Sequence, residues 1–402
     1  MELMSQPFTG YLGNRLIENL ESDKYHTMNI AVAFAKNSGV LRLKDSFQRF
    51  RARGGKINAI VGVDLGGTSY EALTALLLYT DTLSVVHAEK AQTFHVKVYQ
   101  FVGDGEGLVV VGSHNLTGGG LWTNFEASIL VADHEAKAFK AVEKHFEKLG
   151  QLDKSFMPIG DQDAIEALLA NNYITKEIAE RVRHAKSKPK KGAQKELFGK
   201  GIPVKLPKIV ATKKKKEEVS DPSPNLIFVP QGDEGDTIWF ETRKMTGGSR
   251  NILDLSKKSL IEIGDPTNTA FDLGDKKFMR GGVEFFGLDP DSTHESKDIT
   301  INFDGVDYAG NTIKYPDGDK ANGTWRIQIK GESSSGVKIT EAFRAKGEEH
   351  YLVGKVITFT KVVGDYYFMS VFPENDLEHF KSASYILARN GQTADARLLG
   401  LL

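Results

Sequence analysis

Cysteine and long apolar runs are both missing from this sequence. The absence of cysteine excludes a disulfide scaffold, zinc sites with cysteine ligands and a thiol nucleophile. No apolar run approaches the roughly 20 residues of a membrane-spanning helix. The N-terminal segment MELMSQPFTGYLGN lacks the basic and apolar regions of a secretion signal. We therefore expect a soluble protein of the cytoplasm that makes no use of a membrane.

Net charge is also nearly absent, since 52 Lys and Arg residues oppose 53 Asp and Glu residues. The balance is uneven along the chain, because the stretch from Arg183 to Lys216 holds thirteen basic residues and one acid, Glu196. This pattern predicts an extended, solvated linker, and it also suits contact with a polyanion such as nucleic acid. The two interpretations are compatible.

The first 150 residues alternate between strand-like and helix-like segments, which indicates an α/β domain around a mostly buried sheet. Apolar residues at helical spacing predict a helix over 40–53, with Leu41, Leu43, Phe47 and Phe50 on one stripe. Thr68 or Ser69 is expected to cap a helix that ends at Leu78. The other predicted elements are strands at 28–35, 57–63, 82–87, 95–102, 107–112 and 125–131 and a helix at 134–149.

Two further regions follow this domain of residues 1–150. Residues 151–224 are interpreted as a linker, with short helices at 161–170 and 175–186 followed by a segment rich in Lys and Pro. Residues 225–402 contain short alternating runs such as DTIWFET, TWRIQIKGE and KVITFTKVV, separated by turn-rich stretches. This spacing predicts a mainly β domain, a barrel or a sandwich.

Polar residues with catalytic potential gather in the segment 95–126. His95 and Lys97 are two apart on a predicted strand, so their side chains share a face. Ser113 and Asn115 follow the end of the next strand, and Glu126 begins the one after. An imidazole, an ammonium, a hydroxyl, an amide and a carboxylate near one point suit phosphoryl transfer.

These residues resemble the signature of the phospholipase D superfamily, HxK followed by GSxN, here His95-x-Lys97 and Gly112-Ser113-x-Asn115. Glu126 stands where nucleases of that superfamily carry a glutamate that hydrogen-bonds the catalytic histidine. Val102 stands where the full family pattern has an aspartate, and Asp104 comes two positions late. The missing aspartate argues against the lipid hydrolases of the superfamily and little against its nuclease branch.

The resemblance implies a homodimer, because a working site in this superfamily needs two such motifs and this chain carries one. His379-x-Lys381 and His184-x-Lys186 have the HxK spacing, but no GSxN follows either pair. By the same resemblance, His95 of one protomer attacks phosphorus and His95 of the partner subunit protonates the leaving oxygen.

The resemblance also assigns roles to the other residues of the signature. Lys97 and Asn115 would hold the developing negative charge, Ser113 would hydrogen-bond within the site, and Glu126 would fix the histidine tautomer. Neither a metal ion nor another cofactor is expected.

A glycine-bearing turn, GVDLGGTS at 62–69, is a second place where phosphate could bind. It lacks the lysine of a Walker loop, so a purely structural turn is the favoured interpretation. Contact of Gly66, Gly67 or Thr68 with substrate remains the alternative.

Two polar loops of the C-terminal region are candidates for reading DNA bases, because Arg and Asn can pair bidentately with guanine and adenine edges. The alternative is that they are ordinary turns with scattered basic residues. The candidate residues are Arg243, Lys244, Arg250 and Asn251 in the first loop and Lys320, Asn322, Trp325 and Arg326 in the second.

Taken together, the chain resembles BfiI-like restriction endonucleases, which join a phospholipase D-type nuclease domain to a B3-like pseudobarrel that recognises DNA. This resemblance implies a site-specific, metal-independent endonuclease of double-stranded DNA in a restriction-modification system. A methyltransferase and a helicase-like ATPase are implied as partners, and any ATP dependence would come from the latter. The alternatives are a lipid phosphodiesterase, a nonspecific nuclease, and a DNA-binding protein whose nuclease-like domain only dimerises.

Overall fold

The chain divides into two compact units, whose main parts are Met1–Glu180 and Glu234–Leu402. The structure is a computed structural model, and it describes residues 1–90, 92–132, 136–185, 202, 204–207, 209, 227–228, 236–243, 250–316, 323–348 and 350–402. None of the helices in these ranges is long and apolar enough to cross a membrane.

The first unit contains an eight-stranded sheet and five complete α-helices, and a sixth α-helix begins in it. Its strands are β1 (Glu2–Gln6), β2 (Thr27–Val32), β3 (Lys56–Gly62), β4 (Thr82–Val86), β5 (Lys97–Val102), β6 (Gly107–Gly112), β7 (Glu126–Val131) and β8 (Phe156–Pro158). Its helices are α1 (Leu12–Glu21), α2 (Asn37–Ala52), α3 (Tyr70–Tyr79), α4 (Lys137–Leu149), α5 (Gln162–Ala170) and α6 (Glu177–Ala185).

The strand order of this sheet is β1-β7-β6-β5-β2-β3-β4-β8. Strands β2, β3 and β4 run parallel and are joined through α2 and α3, whereas β5, β6 and β7 form an antiparallel meander. The predicted α/β domain is confirmed.

Local sequence explains the two helices that cross over between the parallel strands. The stripe of Leu41, Leu43, Phe47 and Phe50 is fully buried on α2, as its helical spacing predicts. Ser69 caps α3, because its hydroxyl accepts a hydrogen bond from the backbone N–H of Ala72 at 3.1 Å.

Helix α6 is held against α2 and α3 through acidic side chains. The carboxylate of Glu177 accepts hydrogen bonds from the backbone N–H of Asn37 and from the hydroxyl of Ser69, each at 2.7 Å. The backbone N–H of Glu177 donates to Glu71 at 3.1 Å. Burial, reinforced by the nearby charge of Glu177, raises the pKa of Glu71 to about 7.

This carboxyl makes the stability of the first unit depend on pH. Because the folded pKa of Glu71 lies above its unfolded value, its favourable contribution is complete at low pH and is lost as pH rises through about 7. Glu71→Gln keeps an acceptor for Glu177 and removes the charge. We expect it to raise the free energy of unfolding by on the order of 2 kcal/mol at pH 8 and by less than about 1 kcal/mol at pH 5.

Urea titration of the wild type and the variant at both pH values measures this difference. Glu143→Gln, on the exposed side of α4, is the control and should change stability little at either pH. If Glu71→Gln raised the free energy of unfolding equally at pH 5 and pH 8, the raised pKa of Glu71 would not be the cause of the pH dependence.

The second unit is mainly β, as predicted. Its strands are β11 (Thr237–Glu241), β12 (Ile252–Leu255), β13 (Lys258–Ile263), β14 (Phe278–Arg280), β15 (Ser296–Phe303), β16 (Val306–Lys314), β17 (Trp325–Gln328), β18 (Lys355–Val363), β19 (Tyr366–Pro373), β20 (Ile386–Arg389) and β21 (Leu398–Leu401). Its helices are α7 (Ile339–Arg344) and α8 (Leu377–Ala383). Two short strands that belong to the first unit, β9 (Lys205–Leu206) and β10 (Ile227–Phe228), pair with each other.

These eleven strands form one sheet in the order β12-β17-β16-β15-β19-β18-β11-β21-β20-β13-β14. The sheet is mixed, since β15 and β19 pair in parallel while the other pairs are antiparallel. One apolar cluster, which includes Phe240, Phe286 and Trp325, fills its interior. Strands β12 and β14 are the two edges of this sheet, and in the described residues they do not pair to close a barrel. The B3-like pseudobarrel therefore stays a prediction.

Candidate active site

The antiparallel meander brings the polar residues of segment 95–126 to one edge of the first sheet. Lys97 begins β5, whose neighbour β6 runs in the opposite direction and ends at Gly112, so Val98 pairs with Val111. Strand β7 begins at Glu126, and Ser128 pairs with Gly112. The start of β5, the end of β6 and the start of β7 therefore lie at the same edge.

His95 and Lys97 are in direct contact at this edge. The ammonium of Lys97 lies 2.7 Å from Nδ1 and 3.0 Å from Nε2 of His95, and it also donates to the His95 carbonyl oxygen at 3.1 Å. An ammonium donates to a ring nitrogen that carries no proton, and a ring nitrogen with a free lone pair is the atom that a nucleophilic histidine uses. The ring of His95 is exposed and thus accessible to a substrate.

Lys97 is much less accessible, with 9% of its surface exposed. Burial lowers the pKa of its ammonium, and the negative charge of Glu126 opposes that shift. The site thus holds a poorly solvated cation, which attracts a phosphate oxygen more strongly than a cation in bulk water does.

Ser113 and Glu126 form a hydrogen-bonded pair across the ends of β6 and β7. The Ser113 hydroxyl donates to the Glu126 carboxylate and accepts a hydrogen bond from the backbone N–H of Ala127 at 3.1 Å. Asn124 donates to the other carboxylate oxygen at 3.2 Å. Within the described chain Glu126 makes no hydrogen bond to His95, so its predicted role in fixing the histidine tautomer stays a prediction.

The orientation of Asn115 follows from one backbone contact. Its side-chain oxygen accepts a hydrogen bond from the backbone N–H of Phe34 at 3.2 Å, which leaves the amide NH₂ to face a ligand. The preceding Gly112 is required by close packing, because a Cβ there would lie 2.0 Å from the hydroxyl oxygen of Ser128. The glycine of the GSxN pattern thus lets β6 and β7 approach where the loop turns toward the site.

Sequence reasoning missed two side chains that support this loop and His95. His114 is buried, which lowers its pKa to about 4, and its Nδ1 contacts the hydroxyl of Ser128 at 2.5 Å. Phe34 packs edge-on to His95 with ring centroids 5.7 Å apart, and the ammonium of Lys97 lies 5.9 Å from its ring centre. The only available signal was the position of Phe34 at the end of a predicted strand.

Asp104 plays no part in this site, in agreement with the sequence analysis. It lies in the turn between β5 and β6, at the opposite end of β5 from Lys97, and it is 3.6 Å from the imidazole of His26. The pair His379 and Lys381 lies on helix α8, where side chains two positions apart face different sides. Lys186, of the other HxK pair, lies outside the described residues.

The predicted base-reading residues are placed in part, since Lys244, Lys320 and Asn322 lie outside the described residues. Arg243 contacts the carboxylate of Glu241 at 2.8 Å, and its side chain is 49% exposed. Arg250 has a φ of 53° and is partly exposed, as is Asn251. Arg326 lies 3.5 Å from Asp254.

The prediction that Trp325 reads DNA is corrected by its burial. Its side chain is fully buried, and the indole N–H donates to the carbonyl oxygen of Pro290 at 3.0 Å. Trp325 begins β17, whose alternation places Trp325 and Ile327 together in the core. It is a core residue that anchors one end of the second loop.

The two loops leave the sheet at opposite ends of one ladder. Strand β12 pairs with β17 such that Ile252 faces Gln328 and Leu255 faces Trp325. The first loop enters at Ile252 and the second at Trp325, so their attachment points are roughly 10 Å apart along the strands.

No group of three or more His, Asp or Glu side chains in the described ranges is arranged to hold a metal ion. The site offers an imidazole, an ammonium and an amide to an anionic substrate. This set of groups can bind a phosphate diester and attack its phosphorus.

Replacing Glu126 with glutamine tests the electrostatic coupling within the site. The substitution removes the charge that opposes the lowering of the Lys97 pKa, so Lys97 should lose its proton at lower pH. We expect the alkaline limb of the kcat/KM profile for a phosphodiester to move toward lower pH. Glu106→Gln, in the turn at the far end of β5, is the control, and an unmoved limb in Glu126→Gln would contradict the coupling.

Comparisons with known proteins address the first unit of the chain. A search of curated proteins gives no match. Among solved structures, the chain is similar to NucT from Helicobacter pylori, with 19% identity over 39% of this chain and 98% of that chain at a TM-score of 0.30. It is also similar to the phospholipase D family member Nuc from Salmonella typhimurium, with 16% identity over 40% of this chain and 97% of that chain at a TM-score of 0.30. Residues 16–150 match the family described as "Cardiolipin synthase, PLD-like domain", so the chain carries a phospholipase D-like α/β domain that contains the His95 site.

Proposed function

We propose that this protein is a site-specific endonuclease that hydrolyses phosphodiester bonds of double-stranded DNA without a metal ion. The observation that carries the proposal is the contact of the exposed His95 imidazole with the buried ammonium of Lys97. Asn115 is held by the backbone N–H of Phe34, whose ring packs against His95. A phosphodiesterase or nuclease is the general activity that a phospholipase D-like domain supports. The residue pattern adds the finer assignment to a BfiI-like enzyme.

The chemistry follows from the groups at the site. A ring nitrogen of His95 attacks phosphorus and forms a P–N bond, while the P–O bond to the leaving oxygen breaks and the negative charge is held by Lys97 and Asn115. His95 of the partner subunit acts in its protonated, imidazolium form, donates a proton to the leaving oxygen and becomes the neutral imidazole. It then takes a proton from water, which hydrolyses the phosphohistidine and restores the imidazole.

A second copy of this chain is needed because each chain provides one HxK motif. The first unit also carries an apolar surface suited to that copy, which we call the edge surface. It consists of Leu3, Phe8, Val111, Phe125 and Ile129, which are 38–69% exposed.

Three of these residues form a row across neighbouring strands, since Val111 pairs with Ile129 and Ile129 pairs with Leu3. The rings of Phe8 and Phe125 pack together with centroids 5.8 Å apart. Val111 and Phe125 lie two residues and one residue from Ser113 and Glu126, so a chain seated on the edge surface would border the site. Large exposed apolar patches of this kind are typical of protein interfaces.

The second unit supplies DNA recognition in this proposal. Arg250, Asn251 and Arg243 near the start of β12 would contact base edges, and Arg326 would act from the other loop. Attachment at opposite ends of the β12–β17 ladder lets the loops reach separate stretches of a groove. The unit would then be the B3-like domain, with a methyltransferase and a helicase-like ATPase as partners of the system.

Cleavage of supercoiled plasmid DNA in excess EDTA tests the proposal. Discrete bands are expected, because a recognition domain restricts cutting to particular sequences. A smear would show a nonspecific nuclease and overturn the recognition assignment. Absence of cleavage together with hydrolysis of a phosphatidyl lipid would show the rival lipid phosphodiesterase.

A further inference from the structure

The glycine-bearing turn between β3 and α3 is engaged with protein groups rather than open to a phosphate. Thr68 is fully buried, and its hydroxyl donates to the carbonyl oxygen of Gly62 at 2.6 Å and accepts from the backbone N–H of Ala35 at 3.1 Å. Gly67 packs against the ring of Phe34, where a Cβ would lie 2.0 Å from the nearest ring carbon. Of the three residues considered for substrate contact, these two are committed to packing.

Asp64 of this turn holds both ends of the segment that leads to the catalytic histidine. One carboxylate oxygen accepts a hydrogen bond from the backbone N–H of Phe94 at 2.7 Å, and the other lies 2.6 Å from Nδ1 of His87. Asp64 is 7% exposed, and a carboxylate in such a position is costly unless both of its oxygens are hydrogen-bonded. Phe94 directly precedes His95, so the first of these bonds fixes the backbone one residue from the nucleophile.

Residues 87–90, 92 and 93 border a cavity, so a side-chain anchor such as Asp64 contributes to holding them. The cavity has a volume of about 610 Å³ and is lined by residues of the turn, of this segment and of 171–173. Glu89 accepts a hydrogen bond from the hydroxyl of Tyr173 across this space. The backbone N–H of His87 also donates to the carbonyl oxygen of Ser155 at 3.1 Å, and its ring packs against Tyr173. Among these contacts, the hydrogen bond from Phe94 to Asp64 is the one next to His95.

The same turn restrains the imidazole from a second side. Gly67 allows the close approach of Phe34, whose ring packs edge-on to His95 and lies under the ammonium of Lys97. Asp64 acts on the backbone before His95, and Phe34 acts on its ring. Both restraints start from the one turn at 62–69.

We propose that Asp64 is a positioning residue for His95 and that His87 is its supporting partner. The inference rests on the proposed function, because it assigns Asp64 a role through the nucleophile of that reaction. Nucleophilic attack requires alignment within a few tenths of an ångström, and a displacement of about 1 Å can cost on the order of 100-fold in rate. Asp64 itself touches no reacting atom.

Asp81 provides a matched control in the same unit. Its carboxylate also accepts a backbone N–H, that of Ile57 at 2.9 Å, and it also has a basic partner, Arg51 at 3.1 Å. It lies beside the start of β3, whereas Asp64 follows the end of that strand. Loss of either anchor should destabilise the unit, but only Asp64 is connected to His95.

The experiment compares Asp64→Ala, Asp64→Asn and Asp81→Ala in the full chain, with bis(4-nitrophenyl) phosphate as a substrate that needs no DNA recognition. Asp64→Ala should lower kcat by at least about 30-fold with KM within about threefold, and Asp81→Ala should leave kcat within about twofold. Asp64→Asn should restore much of the rate, because its oxygen can accept from Phe94 and its NH₂ can donate to His87. The ¹³C–¹H signal of the His95 ring, identified by its loss in His95→Gln, should shift in Asp64→Ala and stay in place in Asp81→Ala.

Equal losses of kcat in Asp64→Ala and Asp81→Ala, with an unshifted His95 signal, would overturn the inference. If the wild type hydrolyses no phosphodiester, the proposed function fails and the His95 signal alone decides. A shift of the His95 signal in Asp64→Ala that is absent from Asp81→Ala then supports the positioning role of Asp64. An unchanged His95 signal in Asp64→Ala refutes that role.

Discussion

His95→Ala is expected to lower kcat for phosphodiester hydrolysis by at least about 1000-fold, because it removes the nucleophile and the acid together. In a dimer with one shared site, both histidines come from this position, so a single substitution deletes two catalytic groups. The measurement is single-turnover cleavage of a duplex oligonucleotide in EDTA. Binding of the duplex to His95→Ala is measured separately, because KM has little meaning at such low rates. Binding should persist in this variant.

His379→Ala is the matched control for this result. His379 stands in the same HxK spacing but on helix α8, where it is exposed and distant in sequence from any GSxN pattern. We expect His379→Ala to cleave the duplex at the wild-type rate. Retained activity in His95→Ala would refute the assignment of the nucleophile.

If the protein forms the proposed dimer, Ile129→Lys is expected to convert it to a monomer and to lower the cleavage rate by at least about 100-fold. Ile129 lies in the middle of the row formed with Val111 and Leu3, so its replacement places a charge at the centre of the edge surface in both copies. In the proposed mechanism a monomer holds one HxK motif followed by GSxN and therefore half of a site. Sedimentation and cleavage measured on the same samples should therefore change together.

Ile263→Lys controls for the effect of an added surface charge. Ile263 belongs to the second unit and is 57% exposed, against 38% for Ile129. It should leave both the dimer and the cleavage rate intact. An Ile129→Lys protein that is monomeric yet fully active would show that one chain suffices.

Much of the first unit could be predicted from local sequence. Helices α2 and α3 follow from their apolar spacing and from the Ser69 cap, and the strands of the meander follow from short apolar runs between turns. Strand β1 and helix α1 were missed. The first is an edge strand whose residues alternate weakly, and it is defined by its pairing with β7, more than a hundred residues away.

The second unit shows why strand assignment from sequence has limits. Trp325 lies in the run TWRIQIKGE, which was predicted as a strand, but it was also counted among the residues of the preceding polar loop. The alternation of Trp325, Ile327 and Ile329 was the pattern of a buried face. Strand β16 was missed because it contains polar residues such as Asn311. Asn311 is buried and binds backbone groups of the neighbouring segment, including the N–H of Gly331 at 2.8 Å, which no local pattern indicates.

The candidate site was predicted as a set of residue types, and the strand register brings those residues together. The residues that position them were out of reach from sequence alone. Phe34 and Asp64 are 61 and 31 positions before His95, and their roles arise only where the ends of β2, β3 and β5 meet. Such contacts depend on tertiary structure, for which a single sequence carries no local signal.

A heterodimer of one wild-type chain and one His95→Ala chain tests the central claim most directly. Co-expression with two different affinity tags and sequential purification yields this species, and its cleavage rate in EDTA is compared with that of the wild-type dimer. A site shared by two protomers predicts less than about 1% of the wild-type rate, because either the nucleophile or the acid is missing from the one site. A rate near half of the wild-type value would show that each chain carries a complete site and would contradict the account.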